Sequence, residues 1–161
     1  MKGQKLDSGK RFESWWCASA AQVEDTIVYR IPDKVYVDRR TNSLRSTQSE
    51  ADFFWFGKNW TKIVECKASA GKSISFSALK EHQEESLLKF SEYMDAIVAV
   101  NLYNADNVKI SNRLFHVPIK VWVEYKNELD RKSLPLQVLE DDDEIIEFKR
   151  IKGSIWNLKN L

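Results

Sequence analysis

Residues 51–68 read ADFFWFGKNWTKIVECKA: an apolar-rich run, Ala51 to Phe56, a turn, Gly57-Lys58-Asn59-Trp60, and a second run, Thr61 to Ala68. Two such runs around a short turn containing Gly and Asn predict a β-hairpin. Side chains alternate across a strand, so Ile63, Glu65 and Lys67 share one face while Val64, Cys66 and Ala68 share the other. On the first arm Asp52, Phe54 and Phe56 share a face, and pairing across the turn brings Asp52 toward Glu65. Two carboxylates facing one space beside an ammonium suit an oxygen-loving divalent cation. Mg²⁺ in particular is held by one or two carboxylates plus water and substrate phosphate. The plain alternative is a Glu65–Lys67 ion pair on an exposed sheet. The flanking runs argue against it, because they are apolar enough to be covered on both faces, where charges are costly unless paired or metal-bound.

Working outward, Phe12, Trp15, Trp16, Ala20 and Val23 recur at three- and four-residue spacing and predict a helix from about Arg11 to Val23, capped by Asp7 or Ser8, with Glu13 in its first turn. Thr26 to Ile31 reads as a strand ended by Pro32, which Val35 to Val37 extends or pairs with. After Gly71, a short extended piece at Ile74 to Phe76 leads to Ser77, a cap for a helix running to about Met94. The inner face of that helix is Leu79, Gln83, Leu87, Phe90 and Met94, so Gln83 is a polar side chain on an apolar stripe and needs a buried partner. Ala96 to Leu102 is a strand of the buried kind. Arg113 to Val117 is read as a strand, Pro118 to Leu129 as a helix with proline near its first position, and Ile145 to Arg150 as a late strand. This order predicts an α/β fold. His82 falls off the stripe and His116 reads as a core or edge histidine. Trp15, Trp16, Trp55 and Trp122 take core positions.

The chain has 161 residues, 43% hydrophobic and 30% charged, which predicts a single domain over 1–161 with its core at about 8–129 and a C-terminal segment, 130–161, of no readable role. The longest apolar run, Ala96 to Val100, is far short of the ~20 residues of a membrane-spanning helix, and no apolar leader precedes residue 12. Two cysteines, Cys17 and Cys66, make neither a disulfide framework nor a zinc site, so the expectation is a cytoplasmic protein without membrane association. No nucleophile elbow and no Gly-rich phosphate loop appears, and Cys17 and Cys66 read as core packing, so acyl transfer, nucleotide hydrolysis and cysteine chemistry recede; no organic cofactor is expected.

A net charge of +1 conceals an asymmetry: residues 1–82 carry 14 Lys and Arg against 10 Asp and Glu, residues 83–161 carry 11 against 14. The densest cationic stretch, Arg30, Lys34, Arg39, Arg40 and Arg45, is of the kind that neutralises phosphates, or else a solvated loop.

The order Glu13, Asp52, Glu65-Cys66-Lys67, His82-Gln83 resembles the PD-(D/E)xK nuclease superfamily, and within it the Holliday junction resolvases of the RecU and archaeal Hjc type. The segments GKRFE, VYRIPDK, RSTQSEADFFWFG, IVECKAS, ISFSALKEHQ and DAIVAV, between about Ser8 and Val100, carry the resemblance. The stretch ahead of Ser8 is shorter than the basic tail of bacterial RecU enzymes, residues 35–50 are shorter than their stalk, and Ala68-Ser69 replaces a common acidic-threonine pair. This compactness suits a phage or archaeal-like member, in the first case acting in the host cytoplasm.

The resemblance implies a restriction-endonuclease-like fold, a mixed central β-sheet flanked by helices. It implies an endonuclease of DNA recombination and repair that resolves four-way junctions by paired, symmetric, Mg²⁺-dependent incisions, with Mn²⁺ able to substitute. Asp52, Glu65 and the Cys66 carbonyl would hold the ion, with Glu13 assisting it or orienting the attacking water. Lys67 would position that water and stabilise developing charge. Gln83 and Ser69 would hydrogen-bond the lysine and the scissile phosphate. Arg30, Lys34, Arg39, Arg40 and Arg45 would grip the backbone of branched DNA. Two symmetric cuts require two sites about a two-fold axis, hence a homodimer. The alternatives are a related nuclease acting on linear duplex and a non-catalytic DNA-binding module.

Overall fold

The computed structural model describes residues 8–104, 112–152 and 155–159. Helix α1 is Ser8–Ala20, three residues earlier at each end than its periodicity predicts, so Glu13 falls in its second turn; Asp7 lies outside the described residues. Strands β1 (Ile27–Arg30), β2 (Lys34–Asp38) and β3 (Ser43–Thr47) follow, then β4 (Phe53–Phe56) and β5 (Thr61–Ala70). Strand β6 (Ser73–Ser75) leads through a 3₁₀ turn, Phe76–Ala78, to α2 (Glu81–Phe90). Strands β7 (Asp95–Tyr103) and β8 (Asn112–Pro118) precede α3 (Ile119–Glu128), β9 (Ser133–Pro135) and α4 (Leu136–Asp141). Three short strands close the chain: β10 (Ile146–Phe148), β11 (Arg150–Lys152) and β12 (Ile155–Trp156).

The main sheet has six strands in the order β1-β4-β5-β7-β8-β10. Only β5 and β7 run parallel; the other neighbours are antiparallel. A parallel pair needs a crossover, which β6, the 3₁₀ turn and α2 supply. The result is an α/β fold, as the segment order predicts, built on the mixed central sheet flanked by helices that the resemblance implies. The hairpin forms as read, with Phe54 opposite Ile63 and Phe53 opposite Val64. Its turn needs a glycine because a Cβ on Gly57 would run into the Trp60 indole.

Alternation along β5 sorts the core into two layers. Ile63 packs with Leu87, Val98, Phe115 and Trp122 beneath α2 and α3. Val64 and Cys66 pack with Phe12, Trp16, Phe53, Trp55 and Trp156 beneath α1. Charged side chains on β5 are therefore taken from water whichever way they point.

Four readings need correction. Val35–Val37 does not extend β1; β2 pairs with β3, a strand unmarked in the sequence, as a separate ribbon whose residues are exposed apart from partly covered Asp38. Ser77 does not cap the second helix: the Ser75 side chain accepts from the Ser77 N–H to start the 3₁₀ turn, and Lys80 is the N-cap of α2. Pro118 is the N-cap of α3, beside its first position as read, whereas Ile145 to Arg150 is not one strand but is split between β10 and β11. The core also does not stop at residue 129. Strand β10 forms one sheet edge, and Trp156 and Leu158 are buried against α1, with the Trp156 ring edge-on to Phe12 and its backbone N–H donating to Ser19 Oγ. Among the described residues no helix is long and apolar enough to cross a membrane.

Candidate active site

Asp52 directly precedes β4, and its backbone N–H donates to the Val64 carbonyl at 3.1 Å, just beyond the last ladder pair, Phe53–Val64. That pairing sets its side chain beside Glu65, and Asp52 Oδ2 accepts the Cys66 backbone N–H at 2.8 Å. Glu65, two residues beyond Ile63 on the same face, is 2% exposed. Its Oε1 receives Lys67 Nζ at 2.7 Å and Gln83 Nε2 at 2.7 Å. Gln83 Oε1 in turn accepts Lys67 Nζ at 3.0 Å. This is the buried partner that the polar residue on the α2 stripe requires: one amide ties the carboxylate to the ammonium through both its ends.

Glu13, from α1, meets Arg30 at the end of β1 with a 2.9 Å ion pair. Glu13, Arg30, Asp52, Glu65, Cys66, Lys67 and Gln83 all border one cleft of about 630 Å³. The cleft lies where β1, β5 and the start of α2 converge, and α1 forms its other wall.

The electrostatics are those of a site short of positive charge. Burial, reinforced by neighbouring Glu65, pushes the Asp52 carboxyl up to about 7 against the pull of the Cys66 N–H. Burial likewise pushes Glu65 up, though Lys67 and Gln83 pull it back. Burial opposes the charge on Arg30, but the Glu13 and Asp52 carboxylates outweigh it and raise its pKa. Glu65 Oε2 is buried with no hydrogen-bond partner among the described residues. An orphaned carboxylate oxygen beside a second carboxyl whose charge burial disfavours fits a hard divalent cation. No group of three His, Cys, Asp or Glu side chains converges as a metal cluster among the described residues. The fit is therefore to an ion that takes few protein ligands and completes its shell with water and substrate oxygens. Asp52, Glu65 and the Cys66 carbonyl could hold it; the Glu13 carboxylate is engaged by Arg30.

The remaining candidates lie elsewhere. The Ser69 hydroxyl donates to the Ser73 carbonyl at 2.9 Å, bracing the β5–β6 turn, and does not border the cleft. Lys34 is paired with Glu50 at the ribbon's base, and Arg45 with Asp38 at 2.9 Å along it. Arg39 and Arg40 are exposed in the β2–β3 turn and form no ion pair among the described residues. The five cations are thus divided between cleft and ribbon rather than gathered in one patch. Lys10, Gln48, Ser49 and Lys80, which the sequence reading passes over, also border the cleft. The lysine before a helical Glu-His-Gln was the one available signal among them.

No protein-family model matches this sequence, and no curated protein matches it. Solved structures do. One is that of Archaeoglobus fulgidus Hjc, a Holliday junction resolvase from an archaeal hyperthermophile. It is 17% identical over 93% of each chain, with a TM-score of 0.44.

Proposed function

We propose that this protein is a Mg²⁺-dependent endonuclease that resolves four-way DNA junctions by paired incisions, acting as a homodimer. The observation that carries the reading is the set Asp52, Glu65, Lys67 and Gln83, joined in one cleft and carrying an orphaned carboxylate oxygen. Phosphodiester hydrolysis requires a nucleophile stronger than bulk water and neutralisation of the charge gained at phosphorus. Asp52, Glu65 and the Cys66 carbonyl would hold the divalent ion, which when bound supplies water acidification and Lewis-acid stabilisation.

The chain's own residues do the rest. Lys67, with Glu65 and Gln83 occupying its ammonium, is fixed facing the cleft, where it orients the attacking water and meets the charge on the scissile phosphate. Gln83 holds that ammonium in place, so the lysine does not have to be ordered during the reaction. Arg30, fixed by Glu13, offers a second cation to the phosphate backbone. A single site makes one nick; symmetric cutting of two strands requires a second copy about a two-fold axis, which supports the dimer.

The test is cleavage of a labelled synthetic four-way junction and of a linear duplex of the same sequence, with Mg²⁺ and with EDTA. Expected is paired cutting of the junction only with Mg²⁺, abolished by Asp52→Ala and Lys67→Ala while junction binding persists. Equal rates on both substrates would assign the cleft to a duplex nuclease. Binding without cutting would assign it to a DNA-binding module.

A further inference from the structure

Lys80 occupies a position that links the wall of the cleft to its chemistry. It is the N-cap of α2, with φ −73° and ψ 152°. Its backbone N–H donates to Gln83 Oε1 at 3.2 Å, the same oxygen that receives Lys67 Nζ. The main chain of Lys80 is therefore one of the points that fix the amide on which Glu65 and Lys67 depend. Its side chain reaches Gln48 Oε1 at 3.0 Å, on the connection between the ribbon and β4. Arg30, Lys34, Arg45 and Lys67 each face a carboxylate, whereas the Lys80 ammonium has a neutral amide oxygen and no ion pair among the described residues. It also stands at the positive end of a helix dipole.

The Gln48 oxygen that now holds this ammonium carries no net charge whereas a phosphodiester oxygen does, so a strand entering the cleft adds ion-pair attraction and competes well for it. We infer that Lys80 is a substrate-binding and positioning residue: its ammonium takes a backbone phosphate of the bound strand in place of Gln48, and its N–H holds Gln83, and with it Lys67 and Glu65, in register with that strand. This rests on the nuclease reading above.

The two functions separate in two variants. Lys80→Ala removes the ammonium and keeps the N–H. Lys80→Pro removes both at a backbone that accommodates proline, because φ at residue 80 is already −73° and Leu79, at φ −89° and ψ 116°, has the extended conformation that precedes proline. Junction binding is measured against salt concentration with Ca²⁺, and single-turnover cleavage at saturating junction with Mg²⁺, for wild type, both variants and Lys80→Arg. Thermal melts confirm folding.

Lys80→Ala should weaken binding about tenfold and lower the salt slope by about one. Lys80→Arg should restore both. Lys80→Pro should bind like Lys80→Ala but cleave the bound junction at least tenfold more slowly. A Lys80→Ala protein with wild-type affinity and salt slope overturns the binding role, and equal cleavage by the alanine and proline variants overturns the positioning role. A wild-type protein that neither binds nor cuts branched DNA overturns the nuclease reading and this inference with it.

Discussion

The Gln83 amide donates to Glu65 Oε1 across 2.7 Å while its oxygen accepts the Lys67 ammonium at 3.0 Å, so a single helix residue bridges two charges two positions apart on a buried strand. Removing it leaves the carboxylate and ammonium with fewer partners in a low-dielectric site. Gln83→Ala is expected to cost ~1–3 kcal/mol of stability in urea unfolding. It should also slow junction cleavage about tenfold to a hundredfold, because Lys67 is no longer held. An alanine variant with wild-type cleavage would show that the bridge plays no part in the chemistry.

Asp52 gives the protein a pH signature near neutrality. Its native pKa is raised to about 7, whereas an unfolded aspartate titrates near ~4. Between those values the folded chain holds a proton that the unfolded chain has released. Stability from this group is present at acid pH and lost as pH rises through about 7. Stabilities of wild type and Asp52→Asn should therefore diverge: relative to the variant, the metal-free wild type is expected to lose on the order of 2–3 kcal/mol between pH 5 and pH 8. A divalent ion must displace that proton, so apparent Mg²⁺ affinity should rise over the same range.

His116 works in the opposite direction. It is buried between Trp16 and Phe148; the Trp16 indole N–H donates to its Nε2 at 2.9 Å, which requires a neutral ring. Burial lowers its pKa to about 3, so the unfolded chain binds a proton below about 6.5 that the folded chain refuses. Its contribution to stability is complete above about 6.5 and lost as pH falls toward 3. Urea unfolding of His116→Gln, which keeps an acceptor for Trp16 but does not titrate, should show a shallower loss of stability between pH 6.5 and 4 than wild type. Parallel curves would contradict the assignment.

The β2–β3 ribbon can be removed without disturbing the sheet. Its strands pair with each other, and Val35, Val37 and Leu44 are exposed on one of its faces. Replacing residues 35–46 by Asn-Gly between Lys34 and Thr47 should leave the melting temperature within a few degrees and Mg²⁺ binding intact. It should also reduce the preference for a four-way junction over duplex, because Arg39, Arg40 and Arg45 leave with the ribbon. A large drop in melting temperature would mean that the ribbon is part of the folded core.

These features were unequally legible in the sequence. The hairpin, the faces of β5 and the inner stripe of α2 follow from periodicity and turn chemistry, and once Asp52 pairs across the turn the approach to Glu65 is a matter of register. What was hidden depends on contacts between distant segments. Trp16 and His116 stand 100 positions apart, and Trp156 reaches α1 from the far end of the chain. Strand β3, Ser-Leu-Arg-Ser-Thr, has a single apolar residue and reads as a basic loop until β2 pairs with it. The 3₁₀ turn displaced the start of α2, and so concealed Lys80 as its cap.

The central claim is that Asp52 and Glu65 together capture a hard divalent ion. Crystals grown with Mn²⁺ and measured at the manganese absorption edge test it directly. An anomalous peak between the Asp52 and Glu65 carboxyl oxygens, within bonding distance of both and lost in Asp52→Asn, is the expected result. Full Mn²⁺ occupancy at another site, with Asp52 still on the Cys66 N–H and Glu65 Oε2 still without a ligand, would contradict it.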